Sequence, residues 1–509
     1  MSDWTAGYVA DIGYTYGYYP ELNPWRVKLA FLTAGLHFPE FGTACELGFG
    51  QGLSANVHAA ASVTRWYGTD FSPAQAGFAQ ELAEASGSGA QLFDQAFDEF
   101  CTRADLPDFD FIGLHGIWSW ISDQNRHIIV DFVRRKLKVG GVLYIGYNTQ
   151  PGWAAFAPMR HLLTRHSAVI GSEGSGIIHR IDGAVDFAEK LLATDPSYIR
   201  ANPAVVDRVK RLKDQNRHYV AHEYFNRDWL PMHFSTMAEW LVPAKLSYAC
   251  SAFYLDHLPV LNVTAEQHAF LNEIPDAVFR ETVRDFMVNQ QFRRDYWVKG
   301  ARRLNPLAQS EAMRAVRVLL VNHRTDVPLK VAGALGEAEL SEPIYAPIID
   351  RLADHRPQTL QQIFDAVNGK GTTFAQVCQA VIVLVGAGHL IMVQDEHSMA
   401  RKATDRLNRH LLQQARGGGE ISCLASPVSG GGYAVGRFDQ LFLLARSEGR
   451  QHPAEWAAFA WSLLADQGQR LLKEGKPLET LEENVAELTA QATLFAEKRL
   501  PILRALAIA

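Results

Sequence analysis

Between residues 43 and 145, short apolar runs alternate with stretches in which apolar positions recur every three or four residues. The runs 43–47, 65–69, 91–93, 108–114 and 141–145 read as strands, the last following a Gly-Gly turn. The segments 53–61, 73–85 and 126–137 read as helices. This alternation predicts a parallel sheet with helices on both faces. Ahead of it lies an aromatic segment with Trp4, Tyr8, Tyr14, Tyr16, Tyr18, Tyr19 and Trp25, where Asn23-Pro24 opens a further helix.

The pattern changes from about residue 151. Residues 180–220 are helical and charged, and 220–300 are mixed, with strand-like character near 246–254. Residues 341–395 read as a small helical module ending in a hairpin. Glycine-rich stretches at 416–419 and 430–432 precede helices that run to the end of the chain, one of them, 452–466, strongly apolar on one face.

With 509 residues, the chain is too long for one ordinary domain. At 48% hydrophobic and 20% charged residues, its composition is globular. A net charge of −6 gives no sign of non-specific nucleic-acid binding. Cys45, Cys101, Cys250, Cys378 and Cys423 are well separated, so there is no CxxC motif and no disulfide framework is indicated. The N-terminal residues lack a basic and apolar leader pattern, and no apolar run is long enough for a membrane span, which points to the cytoplasm.

The chemistry concentrates in TACELGFGQG, residues 43–52, which reads as strand, glycine turn and helix. Gly48, Gly50 and Gly52 permit positive φ and leave the backbone bare for a ligand. The amides there and at the helix start can bind a carboxylate or a ribose. Glu46 ends the strand within reach of a ligand amino group, although a solvated strand end is its plain alternative. A glycine turn alone also fits a nicotinamide loop or a turn without any ligand. Asp70 ends the next strand, at the spacing of an acid that holds ribose hydroxyls, or else caps the following helix. The order E-x-G-x-G-x-G, the place of Ala96 and Phe97 beside an adenine, and polar-aromatic strand ends in LHGIWSW and YIGYNTQPGW favour S-adenosylmethionine (SAM).

At these residues the chain resembles bacterial class I methyltransferases that carry a methyltransferase regulatory domain. That group includes rickettsial lysine methyltransferases that modify an outer-membrane protein. The resemblance rests on ELGFGQG, GTDFSPAQ, DFDFIGLHGIWSWI and YIGYNTQPGW. Further matches are YVAHEYFNRDWLPMHF, AKLSYACSAFY, RETVRDFMVNQQFRRDYWVKG and CLASPVSGGGYAV. It implies an α/β, Rossmann-like class I methyltransferase domain with a mixed, mostly parallel seven-stranded sheet. Additional α+β middle, winged-helix-like and C-terminal helical domains would follow. The expected borders are 1–160 for the SAM domain, 161–305 for a helical linker and regulatory middle domain, 306–395 for the winged-helix-like module and 396–509 for the C-terminal domain. It also implies a homodimer that methylates lysine amines of a protein, such as a surface or outer-membrane protein before export, without a metal.

Cofactor contacts are expected from Glu46, Gly48, Gly50, Gly52, Asp70, Phe71, Ala96, Phe97 and His115. A lysine must lose its proton before methyl transfer, which costs about 4.6 kcal/mol at pH 7, and an aromatic pocket lowers that cost by desolvating the ammonium. His115, Trp118, Asn148 and Tyr18 are the candidates for catalysis. Tyr14, Tyr18, Trp118, Trp120, Trp153, His222 and Tyr224 are the candidates for the acceptor slot. His115 has a structural alternative, one of Trp118 and Trp120 is expected to be core, and His222–Tyr224 either gate the site or join domains. No H-E-x-x-H zinc motif occurs, since residue 226 is Asn. The basic run 292–300 reads as a site for an acidic partner, a solvated face or internal ion pairs. The apolar segment 372–390 lacks Lys and Arg, which favours a protein contact over DNA reading. The competing readings are a SAM-dependent enzyme for a small-molecule or surface-sugar acceptor, and a sensor that uses a SAM fold without turnover.

Overall fold

The computed structural model describes residues 5, 7–9, 12–395 and 398–509, so Trp4 lies outside the described residues. Its centre is a sheet of seven strands: β1 (Thr43–Leu47), β2 (Arg65–Thr69), β3 (Gln91–Phe93), β4 (Phe109–His115), β5 (Leu137–Asn148), β6 (Leu246–Ser251) and β7 (Phe292–Lys299), in the order β3-β2-β1-β4-β5-β7-β6. β1 to β5 pair in parallel, and β7 inserts antiparallel between β5 and β6. This is the mostly parallel Rossmann-like sheet expected of a class I methyltransferase domain. The order reverses at β1 and β4, where open α/β sheets bind ligands at their carboxyl ends.

Two strands come from outside the segment expected to form this domain. β6 and β7 belong to residues 161–305, so that segment is no separate α+β body: its strands complete the sheet begun at residue 43. The helices Ala157–Val169, Gly176–Leu192, Ala204–Asp214 and Arg217–Tyr224 lie between β5 and β6 and share a core with Trp153, Phe156 and Tyr224.

The run at 292–299 is a buried strand, and its basic side chains bind within the chain. Arg293 pairs with Asp285 (2.6 Å), Asp295 (2.9 Å) and Glu281 (2.9 Å). Arg294 pairs with Glu21 (2.7 Å), and the Lys299 ammonium donates to the carbonyls of Arg134 and Leu137. The internal ion pairs are therefore the correct reading of this run, and the acidic-partner site is withdrawn.

In the winged-helix-like stretch, Leu390–Met392 pairs with Arg317–Leu320 in a three-stranded sheet instead of closing a local hairpin. The apolar helix Phe374–Gly386 turns inward, and Gly386 packs against Leu255 and Tyr254. The C-terminal helices cover Leu53–Ala61, a helix buried at every position because Leu53, Val57, Ala60 and Ala61 join one core with Leu407, Leu411 and Leu424. Among the described residues no helix is long and apolar enough to cross a membrane.

Candidate active site

β1 ends in a turn whose three glycines all have positive φ: 69° at Gly48, 58° at Gly50 and 67° at Gly52. The Gly48 amide donates to the Thr69 carbonyl (2.8 Å), tying the turn to β2. A Cβ on Gly52 would stand 2.4 Å from that of Ala79, so Gly52 serves helix packing and is not a wall of the cavity. Gly48 and Gly50 do line it, with Glu46, Asp70, Phe71, Ala96, Phe97 and His115. Eight of the nine expected cofactor residues thus meet at one cavity; Gly52 is the exception.

Asp70 braces the turn. Its carboxylate accepts from the amides of Gly50 (2.9 Å) and Ser72 (3.0 Å). These bonds pull its pKa down, but burial dominates and lifts it to about 6. Glu46 is pushed up to about 8 by burial and then by the Asp70 charge. Its Oε2 is buried and has no hydrogen-bond partner among the described residues. His115 is lowered to about 4 by burial, so it is neutral near pH 7. Its Nδ1 bonds the Tyr144 hydroxyl (2.7 Å), and its ring stacks on Tyr19 at 3.8 Å between centroids.

An N-terminal strap crosses this cavity. The Gln51 side chain donates to the Tyr14 carbonyl (3.2 Å), and the Tyr19 amide donates to the Ser54 hydroxyl (2.8 Å). On the other side His218 Nδ1 bonds the Gly13 carbonyl (2.8 Å) and His222 Nε2 that of Ile12 (3.0 Å). Tyr8, Tyr14, Tyr19, Trp120, His222 and Glu223 line the cavity as a result. Tyr14 meets His222 edge-on at 5.0 Å, and Tyr8 meets Phe71 edge-on at 5.6 Å.

Several expected acceptor residues lie elsewhere. Tyr18 points away, and its hydroxyl sits between His58 Nε2 (3.1 Å) and the Gly432 amide (2.7 Å) of the C-terminal hairpin Cys423–Ala434. Trp118 is fully buried, with its indole N–H directed at the Met232 sulfur (3.3 Å) and its ring edge-on to Trp240. Asn148 is buried among backbone bonds, accepting from the Met232 amide and donating its own amide to Ser119. Trp153 donates to the Gln291 carbonyl (2.9 Å) and belongs with Tyr224 to the helical core. These five do not line the cavity, which corrects the assignment of Tyr18, Trp118, Trp153 and Tyr224 to the slot and of Tyr18, Trp118 and Asn148 to catalysis. Tyr8, Tyr19 and Glu223 were missed. Tyr19 had a signal in the doubled tyrosine before Pro20, whereas Glu223 had none beyond its place beside His222.

Among the described residues no group of three or more His, Cys, Asp or Glu side chains could hold a metal. A family model described as a predicted methyltransferase regulatory domain matches residues 216–299, from the cap of the helix that carries His222 and Glu223 to the end of β7. An uncharacterized protein of Synechocystis sp. is 40% identical over 512 residues, covering 99% of both chains. One from Rickettsia prowazekii is 25% identical over 326 residues, 61% of this chain and 56% of that one. The structure of PKMT2 from Rickettsia typhi in complex with AdoHcy has the same fold, with a TM-score of 0.70 at 15% identity over 97% of this chain and 99% of that chain. The chain belongs to one family with this Synechocystis protein, carries a predicted methyltransferase regulatory domain at 216–299, and has a Rossmann-like class I methyltransferase fold.

Proposed function

We propose that the protein uses SAM to methylate lysine amines of a protein acceptor. One observation carries the reading: Glu46, Asp70 and Glu223 are brought together at a single tyrosine-lined cavity. Such a cavity suits a ligand that bears a cation and a cationic acceptor, since aromatic faces attract cations. The residues present fit SAM. The unpartnered Glu46 oxygen awaits an amino group, Asp70 stands at the ribose position, and Ala96 and Phe97 flank the adenine position. When bound, SAM supplies a methyl group on a sulfonium. The chain's task is to align an amine with it and exclude water. The strap tyrosines and Trp120 wall the cavity for this purpose. His115, neutral and bonded to Tyr144, orients rather than carries a proton. The rickettsial PKMT2, with AdoHcy in its structure, supports the same reading. The reading takes the acceptor as a surface or outer-membrane protein met before export, and the enzyme as a homodimer.

Incubation of the purified protein with methyl-labelled SAM and cell extract tests it. Label is expected in protein, recovered as methyl-lysine after hydrolysis. Label confined to the low-mass fraction would move the acceptor to a small molecule or sugar.

A second expected outcome follows from Glu46. With a pKa of about 8 it is mostly protonated at pH 7 when the cavity is empty. An ammonium brought against it favours the carboxylate, so binding S-adenosylhomocysteine (SAH) expels a proton. Calorimetry at pH 7 in buffers of different ionisation enthalpy is expected to show release of about half to one proton per site. A Glu46→Gln variant is expected to release almost none.

A further inference from the structure

Glu223 has no part in the cofactor contacts assigned above. It comes from the helix Arg217–Tyr224, whereas Glu46 and Asp70 come from the carboxyl ends of the neighbouring strands β1 and β2. Tyr8, Tyr14 and Tyr19 line the cavity together with all three acids. The three carboxylates therefore share one ring of tyrosines, and Glu223 is the member outside the glycine turn. Among the described residues it has no salt bridge; burial raises it to about 7 and the Tyr14 hydroxyl pulls it down. An acid buried in such a place with no salt bridge among the described residues is poised for a cation from outside. A pKa close to neutrality is also what a general base needs.

We propose that Glu223 is the acceptor-side carboxylate, which binds the ammonium of a primary amine in the Tyr8, Tyr14 and Tyr19 ring and takes its proton. This rests on the reading of the cavity given above and names the residue that receives its acceptor. The ammonium passes one proton to Glu223, leaving a neutral amine and a neutral carboxyl. The amine lone pair then forms the N–C bond, while the C–S bond breaks and its electron pair remains on sulfur. The positive charge moves to the methylated nitrogen, and both that nitrogen and Glu223 return their protons to solvent as the product leaves. A hydroxyl acceptor brings no cation to Glu223, so the site prefers amines.

The test uses the full chain saturated with SAH, with acetyl-lysine amide and acetyl-norleucine amide as probes in titration calorimetry. The wild type is expected to bind the lysine probe at least about tenfold more tightly than its neutral counterpart at pH 8. The preference is expected to fade as the pH falls through about 7, where Glu223 takes up a proton. Glu223→Gln is expected to bind SAH as the wild type does and to lose the preference. Glu223→Asp, a second variant in case the first misfolds, is expected to retain part of it. Equal binding of the two probes by an SAH-saturated wild type would overturn the assignment alone, as would a preference unchanged in Glu223→Gln. Failure of the wild type to bind SAH would overturn the reading of the cavity and this assignment with it.

Discussion

Asp70→Ala is expected to weaken SAH binding about 100-fold, measured by calorimetry on a protein whose circular dichroism matches the wild type. Two effects add. The Gly50 and Ser72 amides lose their charged acceptor, and hydrogen bonds to a charged group contribute roughly 1.5–3 kcal/mol each. The turn that holds Gly48 and Gly50 at positive φ then loses its brace, and the proposed ribose acceptor goes with it. Asp70→Asn keeps an oxygen for one amide and is expected to fall between the two. An affinity within threefold of the wild type in Asp70→Ala would show that the ligand is held elsewhere.

The largest loss of stability is expected from Arg293→Met. Methionine replaces the length of the side chain but not its charge, and Asp285 and Asp295, each 1% exposed, are left without their cation. Burial already pushes both carboxyls up, and the guanidinium is what holds them down. Removing one partner of a buried ion cluster costs about 3–5 kcal/mol. A thermal-shift assay is expected to show a fall in melting temperature of about 5 °C or more. Because Arg293 ties β7 to the helix Ala277–Val288, the loss is felt across the central sheet. An unchanged melting temperature would mean that the cluster is solvated.

The first five strands and the glycine turn were legible because local patterning determines them: apolar runs, helical periodicity and glycines at the turn. β7 was not, since FRRDYWVK carries charges that resemble a surface until Glu21, Glu281 and Asp285 are known to meet them. Those partners are set by tertiary folding, with Glu21 more than 270 residues from Arg294. The tryptophans show a smaller form of the same difficulty. Trp118 and Trp120 share one 3-10 turn, one entering the core and the other lining the cavity, and nothing local distinguishes them. Along the strap, strict alternation from Tyr14 would bring Tyr18 inward. Tyr14 and Thr15 both face the cavity, so the phase slips by one residue there; Gly17 and Tyr19 then follow Thr15 inward, and Tyr18 faces away.

That outward turn of Tyr18 has a consequence for how the molecule comes into being. Its hydroxyl is seated on Gly432, and Asn23 nearby donates to the Ser429 carbonyl, so the cover of the cavity is latched by residues more than 400 positions downstream. A ribosome that has finished the whole sheet has still not delivered the latch. Until the last fifth of the message has been read, the cover is held only by its bonds to Gln51, Ser54, His218 and His222.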